Sequence, residues 1–215
     1  MKIFLSFFKL FPPELSHAIA LNSLKLLHKI KLLNIFFSKV KNKNYQLLGL
    51  EFNNRLGTAA GLDKNGDFID CLGDLGFGFL EVGTVTPLPQ PGNPKPRVFR
   101  LFKENAVINR LGFNNKGVDY LVKNLKRRKY KGIVGVNIGA NKNSKGEQRI
   151  DDYITCFNKV AKYSDYITIN ISSPNTPGLR NLHDEENIKN LIDSIEQRAA
   201  ILEFTKPIFV KISPD

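Results

Sequence analysis

A parallel α/β fold is what this sequence predicts, and three observations carry the prediction. Short apolar runs of strand length recur along the chain, helical patterns separate most of them, and each run ends on a polar side chain. Strand, helix and strand at this spacing form βαβ units, whose parallel sheet is covered on both faces. With 215 residues, 42% of them hydrophobic, the chain can build one sizeable core or part of a larger one.

The first 44 residues stand apart in composition. They hold Lys2, Lys9, Lys25, Lys29, Lys31, Lys39, Lys41 and Lys43 against the single acid Glu14, and much of the formal charge of +12 therefore sits there. Lysines interrupt every apolar run before the roughly 18 residues that a membrane-crossing helix needs. Lys9 and the Pro12-Pro13 pair also argue against a cleaved signal peptide. From Glu14 to Ser38, Leu15, Ile19, Leu24 and Leu27, with Ile30 and Leu33 beyond, recur at helical spacing. The expectation is an amphipathic helix or helix pair lying on an anionic membrane surface.

The predicted strands are TAAGLD from Thr58, FLEVGTV from Phe79, GIVGVNIG from Gly132, YITINIS from Tyr166 and PIFVKIS from Pro207. Predicted helices are DFIDCLGDLG after the first strand, VDYLVKNLKRRK before the third, IDDYITCFNKVAKY before the fourth and DEENIKNLIDSIEQRAAI before the fifth. The long connection after the second strand carries two alternating runs, RVFRLF and AVINRL, around KEN, which predicts a projecting hairpin. Cys71 and Cys156 each stand alone in a helical pattern. They read as buried thiols of a reducing compartment rather than a disulfide or zinc set.

The predicted strands end on Asp63-Lys64, Thr84, Asn137, Asn170 to Ser173, and Lys211. In a parallel βα barrel these ends converge on one pocket. Two lysines with several amides, and neither an acid pair nor a metal-ligand set, suit a planar anion that gains negative charge during reaction. The small-residue run GTAAG at residues 57–61 would let a flat ring approach the backbone. No G-x-G-x-x-G or Walker loop points to a dinucleotide or nucleotide fold.

The stretches AAGLDKNG, EVGTVTPLPQPGNPKPRVFRL, AVINRLGFNNKG, VNIG, NISSPNTPGLR and VKISPD together resemble the dihydroorotate dehydrogenases, in unbroken order from about residue 45 onward. The basic N-terminal segment, and Ser173 where the soluble class has a cysteine, resemble the quinone-dependent class 2 of that family. The resemblance implies a (β/α)8 TIM barrel that binds FMN and oxidises dihydroorotate to orotate in pyrimidine synthesis, with a membrane quinone as electron acceptor. It implies two parts: residues 1–44, a helical membrane and quinone-access segment, and residues 45–215, a partial FMN-binding barrel. It further implies a peripheral protein on the cytoplasmic face of a bacterial inner membrane, with no nucleic-acid partner.

Carried over by position, Ser173 is the catalytic base. Ala60, Gly61, Lys64, Thr84, Asn137, Asn170 and Lys211 contact FMN. Lys64, Asn109, Arg110, Leu111, Gly112, Phe113, Asn170 and Asn175 bind substrate. His17 and Arg100 match the quinone site, and Pro174, Pro177 and Gly178 shape a covering loop.

A complete barrel of this kind takes about 250 residues, and this chain shows five of the eight strands. The expectation is therefore an open barrel that by itself binds FMN weakly and turns over little. Two rivals are a membrane-binding remnant without activity, and a dihydrouridine-synthase-type flavin barrel acting on tRNA. The second would need a basic groove and a cysteine acid by the flavin.

Overall fold

The computed structural model describes residues 8–36, 44–175 and 184–213. Helix α1 (Pro13–Lys29) is followed by the short α2 (Leu33–Phe36) and a hairpin of β1 (Tyr45–Leu47) and β2 (Leu50–Phe52). Next come α3 (Ile69–Gly73), β3 (Phe79–Val85), the hairpin strands β4 (Val98–Leu101) and β5 (Ala106–Asn109), and α4 (Val118–Arg127). The chain continues with β6 (Ile133–Ile138), α5 (Glu147–Val160), β7 (Tyr166–Asn170), α6 (Glu185–Ile201) and β8 (Ile208–Lys211).

The expected parallel sheet is present, with β3, β6, β7 and β8 paired side by side in that order. Among the described residues it is an open sheet, so the closed barrel implied by resemblance is not formed here. The strand expected from Thr58 is also absent as a regular strand. Residues 57–63 do run beside β3, through a parallel bridge from Gly57 to Phe79 and the bonds Thr58 N to Phe79 O (3.2 Å) and Gly61 N to Gly83 O (2.8 Å). Gly61 has φ +107°, a turn of the backbone that breaks the period of two a ladder needs.

The sheet alternates as its sequence dictates. Leu80, Val82, Val134, Val136, Ile167 and Ile169 point to the helix-covered face and are buried. Burial of each contributes about 1.5–3 kcal/mol. The helices return matching stripes: Val118, Leu121 and Leu125 on α4, Tyr153, Phe157 and Val160 on α5, Leu191, Ile195 and Ala199 on α6. Cys71 on α3 and Cys156 on α5 are both free and buried, as expected, and burial pushes the Cys71 thiol up to about 11.

The expected hairpin is β4 with β5, antiparallel from Val98 opposite Asn109 to Leu101 opposite Ala106. The β1–β2 hairpin is not among the predicted elements. Leu48 (φ 50°) and Gly49 (φ 77°) form its two-residue turn, the left-handed geometry such tight hairpins require. Phe52 packs there with Ile133 and Tyr166, which closes the N-terminal end of the sheet's inner face with apolar rings.

The N-terminal helix pair falls as expected, with Ser38 outside the described residues. Helix α1 stops because Lys31 turns left-handed (φ 60°), and Lys31 and Leu32 N–H groups bond back to His28 O and Leu27 O. Its Leu21 enters the main core. No described helix is long and apolar enough to cross a membrane. Leu10, Leu26 and Ile30 are exposed on this segment, while Lys2, Lys39, Lys41 and Lys43 lie outside the described residues.

Candidate active site

The inner face of the sheet lines a cleft of about 1410 Å³ that runs from Tyr45, Phe52 and Phe79 to the strands' C-terminal ends. Strand geometry puts residues of one parity in layers along this face. The lowest layer is aromatic: Tyr166 meets the edges of Phe79 and Phe209, with ring centres 6.4 and 5.4 Å apart. Glu81 is in register with Tyr166 across Gly135, Asn137 and Thr168 with Phe209, and Asn170 with Lys211 at the upper end. A register shift between Gly83 and Val85 re-aims Thr84, so that it rather than Val85 faces the amides.

Of the residues singled out from sequence, Ala60, Gly61, Lys64, Thr84, Asn109 and Leu111 line this cleft, as do Gly112, Phe113, Asn170, Ser173, Asn175 and Lys211. Asn137 sits behind them, fully buried, and reaches the cleft through Thr84, whose hydroxyl donates to Asn137 Oδ1 at 2.6 Å. Arg110 does not join. Its guanidinium donates to Pro96 O (3.0 Å) and stacks over the Phe99 ring, because the β4–β5 hairpin carries it outward. Pro177 and Gly178 of the expected covering loop lie outside the described residues, whereas Pro174 is exposed at the cleft edge.

Ser173 is buried, and its hydroxyl oxygen accepts the Asn175 N–H at 3.2 Å. Among the described residues no acceptor takes the serine's own proton. Burial, and then the Arg97 charge, hold the Lys64 ammonium below the ordinary lysine value, while Glu14 acts in the opposite sense. A lysine so desolvated is stabilised in its charged form by any anion that enters. Gly61 borders the same space, and a Cβ built on it would meet no atom within 4 Å, so its backbone is open to a flat ligand.

His17 and Arg100 are not in this cleft. His17 Nε2 donates to Leu62 O at 2.8 Å, and Arg100 Nη1 to Phe11 O at 2.7 Å, so both tie the N-terminal segment to the domain beside the cleft. The stronger tie is one that motif reading missed. Arg97 is buried and forks onto Glu14 of α1, with Nη2 to Oε1 at 2.8 Å and Nε to Oε1 at 3.1 Å. This pairing holds the Glu14 carboxyl below its ordinary value.

Comparison with known proteins agrees with this geometry. The family model described as dihydroorotate dehydrogenase matches residues 43–215. The chain belongs to the dihydroorotate dehydrogenase family. It is 52% identical over 206 residues to a protein of Saccharophagus degradans and 53% identical over 207 residues to one of Coxiella burnetii, each named dihydroorotate dehydrogenase (quinone). Each match covers 94% of this chain, and 61% and 60% of the relatives' lengths. The crystal structure of the Eimeria tenella dihydroorotate dehydrogenase in complex with ferulenol superposes with a TM-score of 0.83 at 36% identity, over 95% of this chain and 60% of that one. The chain thus spans about three-fifths of the length of the relatives it matches.

Besides Arg97, the family motifs left Glu81, Thr168, Tyr166 and Ser172 unassigned within the cleft. Glu81 accepts Asn137 Nδ2 (2.9 Å), Tyr166 OH (3.0 Å) and Thr168 Oγ1 (3.2 Å), and Lys211 Nζ donates to Ser172 Oγ (2.8 Å). The burial and the Glu81 charge push the Tyr166 phenol upward, so it serves as a donor. A signal for Glu81 was present: an acid in the middle of the apolar run FLEVGTV must be paired if it turns inward.

Proposed function

We propose that the protein of which this chain forms part oxidises dihydroorotate to orotate in pyrimidine synthesis and passes the electrons to a membrane quinone. The observation that carries this reading is the convergence of Lys64, Lys211, Thr84, Asn170 and Ser173 on one cleft in a chain of this family. The names of the Saccharophagus and Coxiella relatives support the quinone as acceptor.

The cleft chemistry fits a flavin ring: an open backbone at Gly61, amide and hydroxyl donors, and a lysine ammonium at the end of β8. Bound FMN supplies the hydride acceptor. Ala60, Gly61, Thr84, Asn170 and Lys211 would hold its ring, with Asn137 acting on it through Thr84 and Lys211 supplying a positive charge beside it. Lys64 pairs with the substrate carboxylate, whose charge offsets the desolvation of the ammonium. Asn109, Leu111, Gly112 and Phe113, with Asn170 and Asn175, orient the substrate ring, and Arg110 holds the loop that carries them. Ser173 takes the proton from C5 of dihydroorotate as hydride leaves C6. A serine does this only in a water-poor site with an onward path for its own proton.

Residues 1–44 serve as the membrane and quinone-access segment, and residues 45–215 as the flavin-binding part. His17 and Arg100, beside the cleft on the side of α1, border the quinone's approach. The exposed Leu10, Leu26 and Ile30 beside Lys9 and Lys29 suit an anionic membrane surface. The protein then sits as a peripheral protein on the cytoplasmic face of a bacterial inner membrane.

The test is the visible spectrum of the purified chain with FMN in mild detergent, before and after anaerobic dihydroorotate. Protein-bound flavin absorbance that bleaches with substrate is the expected result. Bound flavin that does not bleach, in this chain and in one extended to the relatives' length, overturns the reading. So does the failure of both this chain and one extended to the relatives' length to retain flavin.

A further inference from the structure

Six side chains along the cleft wall form one hydrogen-bonded chain, and it has a direction. Lys211 Nζ donates to Ser172 Oγ (2.8 Å), Ser172 Oγ to Asn170 Oδ1 (2.8 Å), and Asn170 Nδ2 to Thr84 Oγ1 (2.9 Å). Thr84 Oγ1 then donates to Asn137 Oδ1 (2.6 Å), and Asn137 Nδ2 to Glu81 Oε1 (2.9 Å). Every proton points from the β8 end toward Glu81.

The two ends explain the direction. An ammonium can only donate and a carboxylate can only accept, whereas serine, threonine and asparagine do either. A chain with an obligate donor at one end and an obligate acceptor at the other has one self-consistent arrangement of the groups between, and two further bonds hold to it: the Ser172 N–H donates to Asn170 Oδ1 (3.1 Å), and Asn170 Nδ2 also donates to Asn137 Oδ1 (3.1 Å). Bonds that share a direction also polarise one another. Glu81 is well held as that acceptor, because Tyr166 and Thr168 donate to its second oxygen at 3.0 and 3.2 Å.

We propose that Glu81 is a positioning residue of the cleft. As the acceptor end of the chain, it fixes which way the Asn137 and Asn170 amides face, and thereby what the wall presents to a bound ring. The flavin as that ring rests on the function proposed above. The orientation of the amides does not depend on it.

Glu81→Gln keeps the side chain's shape and replaces the obligate acceptor with a group that also donates. In a chain labelled with [15N]asparagine, the side-chain amide protons of Asn137 and Asn170 are expected to exchange with water about tenfold faster or more, the scale of one charge-assisted hydrogen bond. The FMN dissociation constant is expected to rise by about the same factor, although the substitution makes the cleft more positive. Thr168→Val removes a donor to the same carboxylate but keeps the acceptor, and both amides are expected to stay protected.

Unchanged exchange at Asn170 in Glu81→Gln overturns the proposal. Equal acceleration in Thr168→Val also overturns it, since that would mean packing alone is responsible. Tighter FMN binding in Glu81→Gln would show that Glu81 acts only as a charge, and overturns it as well. Because the exchange readout needs no ligand, failure of both this chain and one extended to the relatives' length to bind FMN counts against the proposed function, while the exchange result still decides the role of Glu81.

Discussion

Along the cleft wall, the cation Lys211 and the anion Glu81 are joined through four uncharged side chains. On α1 and the turn that follows it, Glu14 meets Arg97 directly, while Lys29 and Lys31 stand in solvent and Leu26 and Ile30 are exposed. Strand geometry spaces inward side chains in layers about two residues apart, so charges in different layers need neutral relays to satisfy one another. A helix lying on a domain needs only a few anchors, and its outer face is free to meet a second surface. Polar groups in the wall are therefore coupled, and those on α1 act one by one.

The comparison is sharpest at Ser173. Ser173→Ala is expected to slow dihydroorotate oxidation by about 10²–10⁴-fold, the range for loss of one proton-transfer group. FMN affinity and melting temperature should stay near the parent's, and a spectral titration beside stopped-flow flavin reduction would read both. An equal loss of flavin binding would instead place Ser173 in the coupled wall.

On α1 the largest effect belongs to its one deeply packed leucine. Leu21→Ala is expected to cost about 2–4 kcal/mol in urea unfolding, because it empties a site in the main core. Stability unaffected by that change would mean that α1 does not fold as part of the domain.

The Glu14–Arg97 pair makes α1 docking sensitive to acid. The docked state depresses the Glu14 carboxyl from its ordinary 4.5, so the stabilisation is fully present above about pH 4.5 and is lost as pH falls through the depressed value. Limited proteolysis within residues 8–36 should accelerate across that interval in the parent, and Glu14→Gln should flatten the profile.

The smallest effect on stability comes from the outer face. Leu26→Ser is expected to change unfolding by no more than about 0.5 kcal/mol and yet to weaken cosedimentation with vesicles rich in anionic lipid. Unchanged vesicle binding would move the membrane contact elsewhere.

Much of this was legible in the sequence, for identifiable reasons. The helices α4, α5 and α6 carry apolar stripes at helical spacing, and β6 and β7 are short runs rich in Ile and Val bounded by turns. Local periodicity therefore identified them. TAAGLD misled because small apolar residues look like strand, and nothing in the run itself reports the turned backbone at Gly61. The β1–β2 hairpin escaped because YQL and LEF are too short to show a period, and their value lies in the distant rings they cover. Arg110 lies outside the cleft lining, which the motif could not report, because position just past β5 does not say to which side a hairpin residue points.

By itself the sequence determined the order of the four sheet strands, the β4–β5 hairpin and the helices between them, the polar residues at the strand ends and the family to which the chain belongs. Those depend on local period and on residue identity, which a linear string contains in full. Only the tertiary structure decided that Arg97 of the hairpin reaches Glu14 of α1, and that Glu81, Asn137, Thr84, Asn170, Ser172 and Lys211 form one directed chain. These partners come from separate strands and loops, and hydrogen bonds act over about 3 Å. Which groups come that close is settled by the register of the sheet and the docking of the helix.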